Sequence, residues 1–122
     1  MPSIQQNRLL DELDSQGIKY NSDKIVDVRK LPDGRIVFLE TGNENAGLAH
    51  ITSRHSNDFV NKGIPENQIP DALFTALENG KIVGYQGKGY GRPIYEYNFN
   101  GETQKIAITV GDNGFIVGAN PQ

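Results

Sequence analysis

This chain contains no cysteine, which excludes a disulfide framework, a thiolate nucleophile and any cysteine-based zinc or iron–sulfur site. It also lacks an apolar run of about 18 residues, the length that a membrane-spanning helix requires, so we expect no membrane segment. The residues from Met1 to Gln6 include no charged segment followed by an apolar stretch, so we expect no signal peptide. Any chemistry must therefore come from other side chains.

Several motifs of known chemistry are missing as well. The chain has no carboxylate pair of the glycosidase type, no Gly-x-Ser-x-Gly elbow and no Ser-x-x-Lys sequence. His-Glu-x-x-His is absent, and the two histidines, five residues apart, cannot chelate a metal as an i, i+4 pair does. We therefore expect no metal site and no cofactor.

Length and charge set the broad class of protein. The 122 residues are typical of one domain, which we expect to span residues 1–122. A formal net charge of −3 is unfavourable for coating a nucleic acid through bulk charge. Between Lys81 and Tyr95, however, the chain has basic residues and no acidic one, which permits a local basic site.

The order of elements predicts an α+β fold. Ser3 and Gln6 form a capping-box pattern before an apolar stripe that ends at Gly17, which predicts a helix over residues 4–16. Pro32-Asp33-Gly34 predicts the turn of a β-hairpin. Two further helices and an antiparallel meander are then predicted, with helices at about 46–61 and 70–79 and strands at 82–85, 94–99, 106–110 and 115–117.

Both histidines lie on the predicted second helix, with Arg54 beside His55. Histidine exchanges a proton near neutral pH, and a guanidinium holds a phosphate. At about 100° per residue, His55 falls on the apolar stripe with Ile51, which faces the sheet, whereas His50 and Arg54 share a different face. The alternatives are that His55 is a core histidine bonded to a backbone carbonyl and that the other two belong to a solvated face.

A second candidate is the glycine-rich stretch from Lys81 to Arg92, which interleaves tyrosines and positive charges. Lys88, Tyr90 and Arg92 are the residues that would hold a phosphate backbone and stack a base. The spacing of the glycines matches neither a dinucleotide fingerprint nor a Walker loop. The alternative is an ordinary connection between strands.

A third candidate is the final pair of strands. Alternation places Ile106 and Ile108 on one face, and Lys105 and Thr109 on the other. A face with small residues, a hydroxyl and an amine leaves room for a ligand. Glu96 on the neighbouring strand is a candidate acid–base group, or simply a surface carboxylate.

Three segments in this order resemble one family. They are Val28–Glu40, Gly47–Ile51 with Arg54 and His55, and Ile106–Val110 running into Gly114–Pro121. Together they resemble the C-terminal toxin domains of contact-dependent growth inhibition (CdiA-type) effectors, in the barnase/EndoU/colicin/RelE-like (BECR) ribonuclease group. The resemblance covers about residues 20–121.

The resemblance implies an N-terminal helical part (1–20) and a nuclease core (21–122) in which helices pack on a twisted four-stranded antiparallel sheet. It implies a metal-independent ribonuclease that acts on tRNA, is secreted at the tip of a large surface effector, works in the target-cell cytoplasm and is neutralised by a cognate immunity protein. We expect it to be a monomer. The residues expected to act are His50, His55, Arg54 and Thr109 in catalysis, and Lys88, Tyr90, Arg92, Glu96 and Lys105 in binding RNA.

The other hypothesis is a non-enzymatic binding module of the immunity or inhibitor type, with structural histidines. The negative net charge suits this hypothesis, because the partner of a basic nuclease is usually acidic.

Overall fold

The computed structural model describes residues 3–87 and 91–122. Lys88 and Tyr90, two of the predicted RNA-binding residues, lie outside the described residues. The helices and strands follow the chain in the order α1 (Ile4–Ser15), β1 (Ile25–Lys30), β2 (Ile36–Glu40), α2 (Leu48–Asn61), α3 (Ile69–Asn79), β3 (Lys81–Gln86), β4 (Arg92–Phe99), β5 (Glu102–Val110) and β6 (Ile116–Pro121). The predicted α+β class is confirmed.

The strands form two antiparallel sheets. β1 and β2 make the predicted hairpin, and β3-β4-β5-β6 make a four-stranded meander in sequence order. Asn100 and Gly101, between β4 and β5, have φ of 52° and 82°, as a two-residue hairpin turn requires. The two sheets meet where the backbone N–H of Phe38 donates to the carbonyl oxygen of Gly114 over 2.9 Å.

One face of the four-stranded sheet carries the main core. Ile106 and Ile108 of β5 are fully buried there, as their alternation predicts. Ile51 of α2 and Phe74 of α3 belong to the same buried cluster. The buried apolar side chains of α2 and α3 therefore pack on this face of the sheet. The opposite face carries Lys105 and Thr109.

A second cluster joins α1 to the hairpin. Leu9, Leu10 and Leu13 of α1 pack with Val28 and Phe38 of the two strands. The predicted capping box is present, with Ser3 and Gln6 bonded reciprocally. Among the described helices, none has the length and apolar character needed to cross a membrane.

The start of α2 differs from the prediction. The helix begins at Leu48 rather than 46, and no side chain of the preceding loop caps it. Gly47 occupies the N-cap with φ of 88° and ψ of −165°, a conformation that L side chains rarely adopt. Its N–H donates to the carbonyl oxygen of Val117 on β6 over 2.9 Å. The backbone N–H of Ala49, in the first turn, donates to the carbonyl oxygen of Thr41 over 2.8 Å, so a loop carbonyl accepts from a group that a capping side chain usually serves.

Candidate functional site

The ring of His50 lies against β6. A Cβ atom placed on Gly118 would be 3.6 Å from Cδ2 and 3.7 Å from Nε2 of this histidine. Because Gly118 has no side chain, the imidazole rests directly on the strand. The hydrogen bond between Gly47 and Val117 holds the first turn of α2 against the same strand, which explains why the residue three positions on from Gly47 reaches it.

One hydrogen bond determines which nitrogen of His50 carries the proton in its neutral form. Nδ1 lies 2.7 Å from the carbonyl oxygen of Glu44, and a carbonyl only accepts, so Nδ1 must donate. In the neutral ring, Nε2 is then the unprotonated nitrogen, with a free lone pair. Among the described residues, Nε2 has no hydrogen-bond partner. This arrangement suits a group that accepts a proton from a ligand.

Strand pairing places Thr109 near this ring. It is the cross-strand partner of Gly118 in the pairing of β5 with β6. Directly opposed residues share a sheet face, and their Cβ atoms lie about 4.5–5.5 Å apart. Since His50 occupies the space above Gly118, its ring and the hydroxyl of Thr109 lie side by side on the face opposite the core.

Arg92 lies at the same end of the sheet. Together with Thr109 it lines a cavity of about 280 Å³ where β4 begins and β5 ends. Arg35 and Tyr95 line the same cavity. Burial raises the pKa of the Tyr95 phenol, and the nearby Arg35 guanidinium opposes that rise, so the phenol is neutral and able to donate a hydrogen bond at physiological pH.

Lys105 and Glu96 lie away from His50. They oppose each other across β4 and β5, and Nζ of Lys81 is 3.8 Å from Oε1 of Glu96. Lys105 precedes Thr109 by four residues on one strand, which corresponds to about 14 Å. Lys105 and Glu96 lie on the same sheet face as Thr109, but the structure does not bring them to His50.

The two other predicted residues of α2 have different surroundings. Nδ1 of His55 lies 2.9 Å from Oδ2 of Asp58 on the same helix, and a quarter of the His55 side chain is exposed. Arg54 is exposed, one helical turn after His50. Of the two histidines, His50 is the one whose ring the structure places against Gly118 of β6, because the first turn of α2 docks on that strand.

Sequence reasoning missed three residues of this region. Gly118 carries a signal, since a lone glycine within a strand often marks a close approach of another group. Arg35 and Tyr95 have no such signal in the sequence, because the turn between β1 and β2 meets the ends of β4 and β5 only in the folded chain. Nη2 of Arg35 donates to the carbonyl oxygen of Gly111 over 2.9 Å.

Comparison with known proteins gives no relative. The chain matches no protein-family model, and no curated protein matches it. Within residues 3–87 and 91–122, no group of three or more His, Cys, Asp or Glu side chains is arranged to hold a metal ion.

Proposed function

We propose that this protein is a metal-independent ribonuclease that cleaves tRNA. One observation carries the proposal: the ring of His50, which is oriented by the carbonyl oxygen of Glu44 and has a free Nε2, lies beside Thr109 on the sheet face opposite Ile106 and Ile108. A histidine in this position supplies the base that RNA cleavage requires. The arrangement of helices on one face of a four-stranded antiparallel sheet is also what a BECR-like ribonuclease would have.

The proposed reaction is transesterification by the RNA itself. Nε2 of His50 takes the proton of a ribose 2′-hydroxyl, and the 2′-oxygen forms a bond to the adjacent phosphorus. The bond from phosphorus to the 5′-oxygen breaks, the 5′-oxygen takes a proton from water, and a 2′,3′-cyclic phosphate remains. Arg92 and Thr109 stabilise the negative charge that develops on the phosphoryl oxygens.

The biological setting follows from the family resemblance. The segments around His50 and Thr109 and the C-terminal strand resemble toxin domains delivered to neighbouring bacteria by contact-dependent effectors. We propose that the chain acts in the cytoplasm of the target cell and that a cognate immunity protein neutralises it in the producing cell.

Cleavage of tRNA in EDTA by the purified protein tests the proposal. His50→Ala should lower the cleavage rate at least about 100-fold, because a positioned general base contributes that much or more. His55→Ala is the matched control and should stay within a few-fold, since the ring that lies against β6 beside Thr109 is that of His50. The RNA ends should carry 2′,3′-cyclic phosphate.

Three results would contradict the mechanism: a requirement for a divalent cation, ends other than the cyclic phosphate, or full activity in His50→Ala. Thermal unfolding of both variants separates a chemical defect from a folding defect. His50→Gln adds a second check, because its side chain retains polarity but cannot accept the proton as imidazole does.

A binding module of the immunity or inhibitor type is the second candidate. It is favoured by the net charge of −3 and by the edge strand β3, where Ile82 and Val83 are 50% and 45% exposed. An uncovered strand edge with apolar side chains is a surface on which another chain can pair. Expression of the protein alone in a bacterial cell separates the two candidates: a ribonuclease toxin arrests growth, and a binding module does not.

A further inference from the structure

The cavity at the end of the four-stranded sheet has the donors that a phosphate needs. Arg35, Arg92 and Tyr95 line it together with the ends of β4 and β5. Each guanidinium has five N–H donors and no acceptor, and the phenol adds an O–H donor. Thr109 also borders the cavity, but strand alternation directs its side chain to the face opposite that of Tyr95. With a volume of about 280 Å³, the cavity has room for a phosphate and part of the sugar attached to it.

The positive charge of the cavity is not neutralised by the protein. Within the described residues, neither Arg35 nor Arg92 forms an ion pair. The described lining contains no Asp or Glu. Asp33 acts on the pKa of Tyr95, and its Oδ1 accepts from the backbone N–H of Arg35 over 2.9 Å, but among the described residues it forms no ion pair with either guanidinium. Two unpaired guanidinium groups at one cavity favour an anion between them.

Arg35 is held in place for this role. Nη2 of Arg35 donates to the carbonyl oxygen of Gly111. This hydrogen bond uses one of the five N–H donors of the guanidinium and orients the other four. Oriented donors lose less conformational entropy when a ligand binds than free ones do.

The cavity around Arg29 provides a contrast within the same protein. It is larger, about 400 Å³, and is also lined by an arginine, but Asp27 and Glu78 line it as well. Nε of Arg29 lies 2.9 Å from Asp27 and Nη1 lies 2.6 Å from Glu78. The positive charge of Arg29 is already compensated by these two carboxylates, so this cavity does not favour an anion.

We propose that the cavity lined by Arg35, Arg92 and Tyr95 is a phosphate-binding site. Resting on the proposed ribonuclease function, its occupant is a phosphodiester of the bound RNA. Arg35 and Tyr95 are then residues that position the substrate.

Titration with inorganic phosphate, followed by amide NMR at constant ionic strength with chloride as the reference anion, tests the site without any reaction. Phosphate should shift the amide signals of Gly91, Arg92 and Ile108–Val110. Arg35→Gln and Arg92→Gln should each weaken binding about tenfold, since each removes charge-assisted hydrogen bonds. Tyr95→Phe should cause a smaller loss. Arg8→Gln, an exposed residue of α1, is the matched control and should bind like the unchanged protein.

The results separate this inference from the ribonuclease proposal. If phosphate does not bind, or binds to both arginine variants as tightly as to the unchanged protein, the inference is wrong even where RNA is cleaved. If phosphate binding depends on both arginines while no RNA is cleaved, the inference stands and the ribonuclease proposal fails. Arg35→Lys guards against a folding defect, because it keeps the charge at the turn and should retain part of the affinity.

Discussion

His50 and His55 are the same residue type on one helix, yet their rings have different neighbours. The carbonyl oxygen of Glu44 can only accept, so it holds the proton of the neutral His50 ring on Nδ1 and leaves Nε2 free. Nδ1 of His55 lies 2.9 Å from Oδ2 of Asp58 on the same helix. His50 is distinguished as the candidate base by its place, because its ring lies against Gly118 of β6, the cross-strand partner of Thr109.

At the same scale, the raised pKa of Tyr97 predicts how the free energy of unfolding changes at high pH. Its side chain is 5% exposed, and burial raises its pKa from 10.0 to about 12. The folded state therefore holds this proton more tightly than the unfolded state. The stabilisation is complete below pH 10 and is lost as the pH rises through about 12, with a total near 2–3 kcal/mol.

Denaturant unfolding of the protein and of Tyr97→Phe between pH 8 and pH 12 measures this contribution. The difference in the free energy of unfolding between the two proteins should shrink by about 2–3 kcal/mol over the range in which the phenol ionises. The common titration of the other tyrosines and of the lysines cancels in the difference. A difference that is independent of pH would show that Tyr97 ionises in the folded protein as it does in the unfolded chain.

At the scale of elements, the packing of α2 on β6 positions the candidate base. The contact depends on Gly118, since any side chain there points at the ring of His50. Cβ alone would make an ordinary contact of 3.6 Å, but larger groups would enter the space of the imidazole.

Gly118→Val should therefore displace the ring of His50 and break its hydrogen bond to the carbonyl oxygen of Glu44. Imidazole ¹⁵N NMR should detect protonated Nδ1 in the neutral form of the unchanged protein and a mixture of tautomers in the variant. Gly118→Ala is the control and should keep the original signal. An unchanged spectrum in Gly118→Val would mean that the ring does not rest on this strand.

At the scale of the whole molecule, Arg29 links the two hydrophobic clusters. It lies on β1, its guanidinium binds Asp27 and Glu78, and its Cζ is 5.0 Å from the centre of the Phe74 ring. Gln6 of α1 donates to the same Asp27 over 2.7 Å. One cation therefore holds together α1, the hairpin and α3.

Arg29→Gln should lower the free energy of unfolding by about 1–3 kcal/mol, because two partly buried carboxylates lose their shared cation. Lys30→Gln is the matched control. It removes a more exposed pair with Glu12, at 3.1 Å, and should cost less than about 1 kcal/mol. Denaturant unfolding measures both. Equal costs for the two substitutions would mean that the Arg29 pairs are no stronger than ordinary surface pairs.

The strand faces and turns were predictable because they depend on neighbours in sequence. The alternation of Ile106 and Ile108 with Lys105 and Thr109 follows from the period of a strand, and Asn100-Gly101 supplies the positive φ that its turn needs. Helix periodicity likewise located α2 to within two residues at its start.

The composition of the candidate site was decided only by the tertiary structure. Which histidine meets the sheet depends on the bond between Gly47 and Val117, and the place of Arg35 depends on its contact with Gly111, 76 residues away. No local period encodes such contacts, because they form when separate elements pack together and bury their apolar faces. The chemistry available to this chain was present in its residue types, but the combination of His50, Thr109 and the two arginines exists only in the fold.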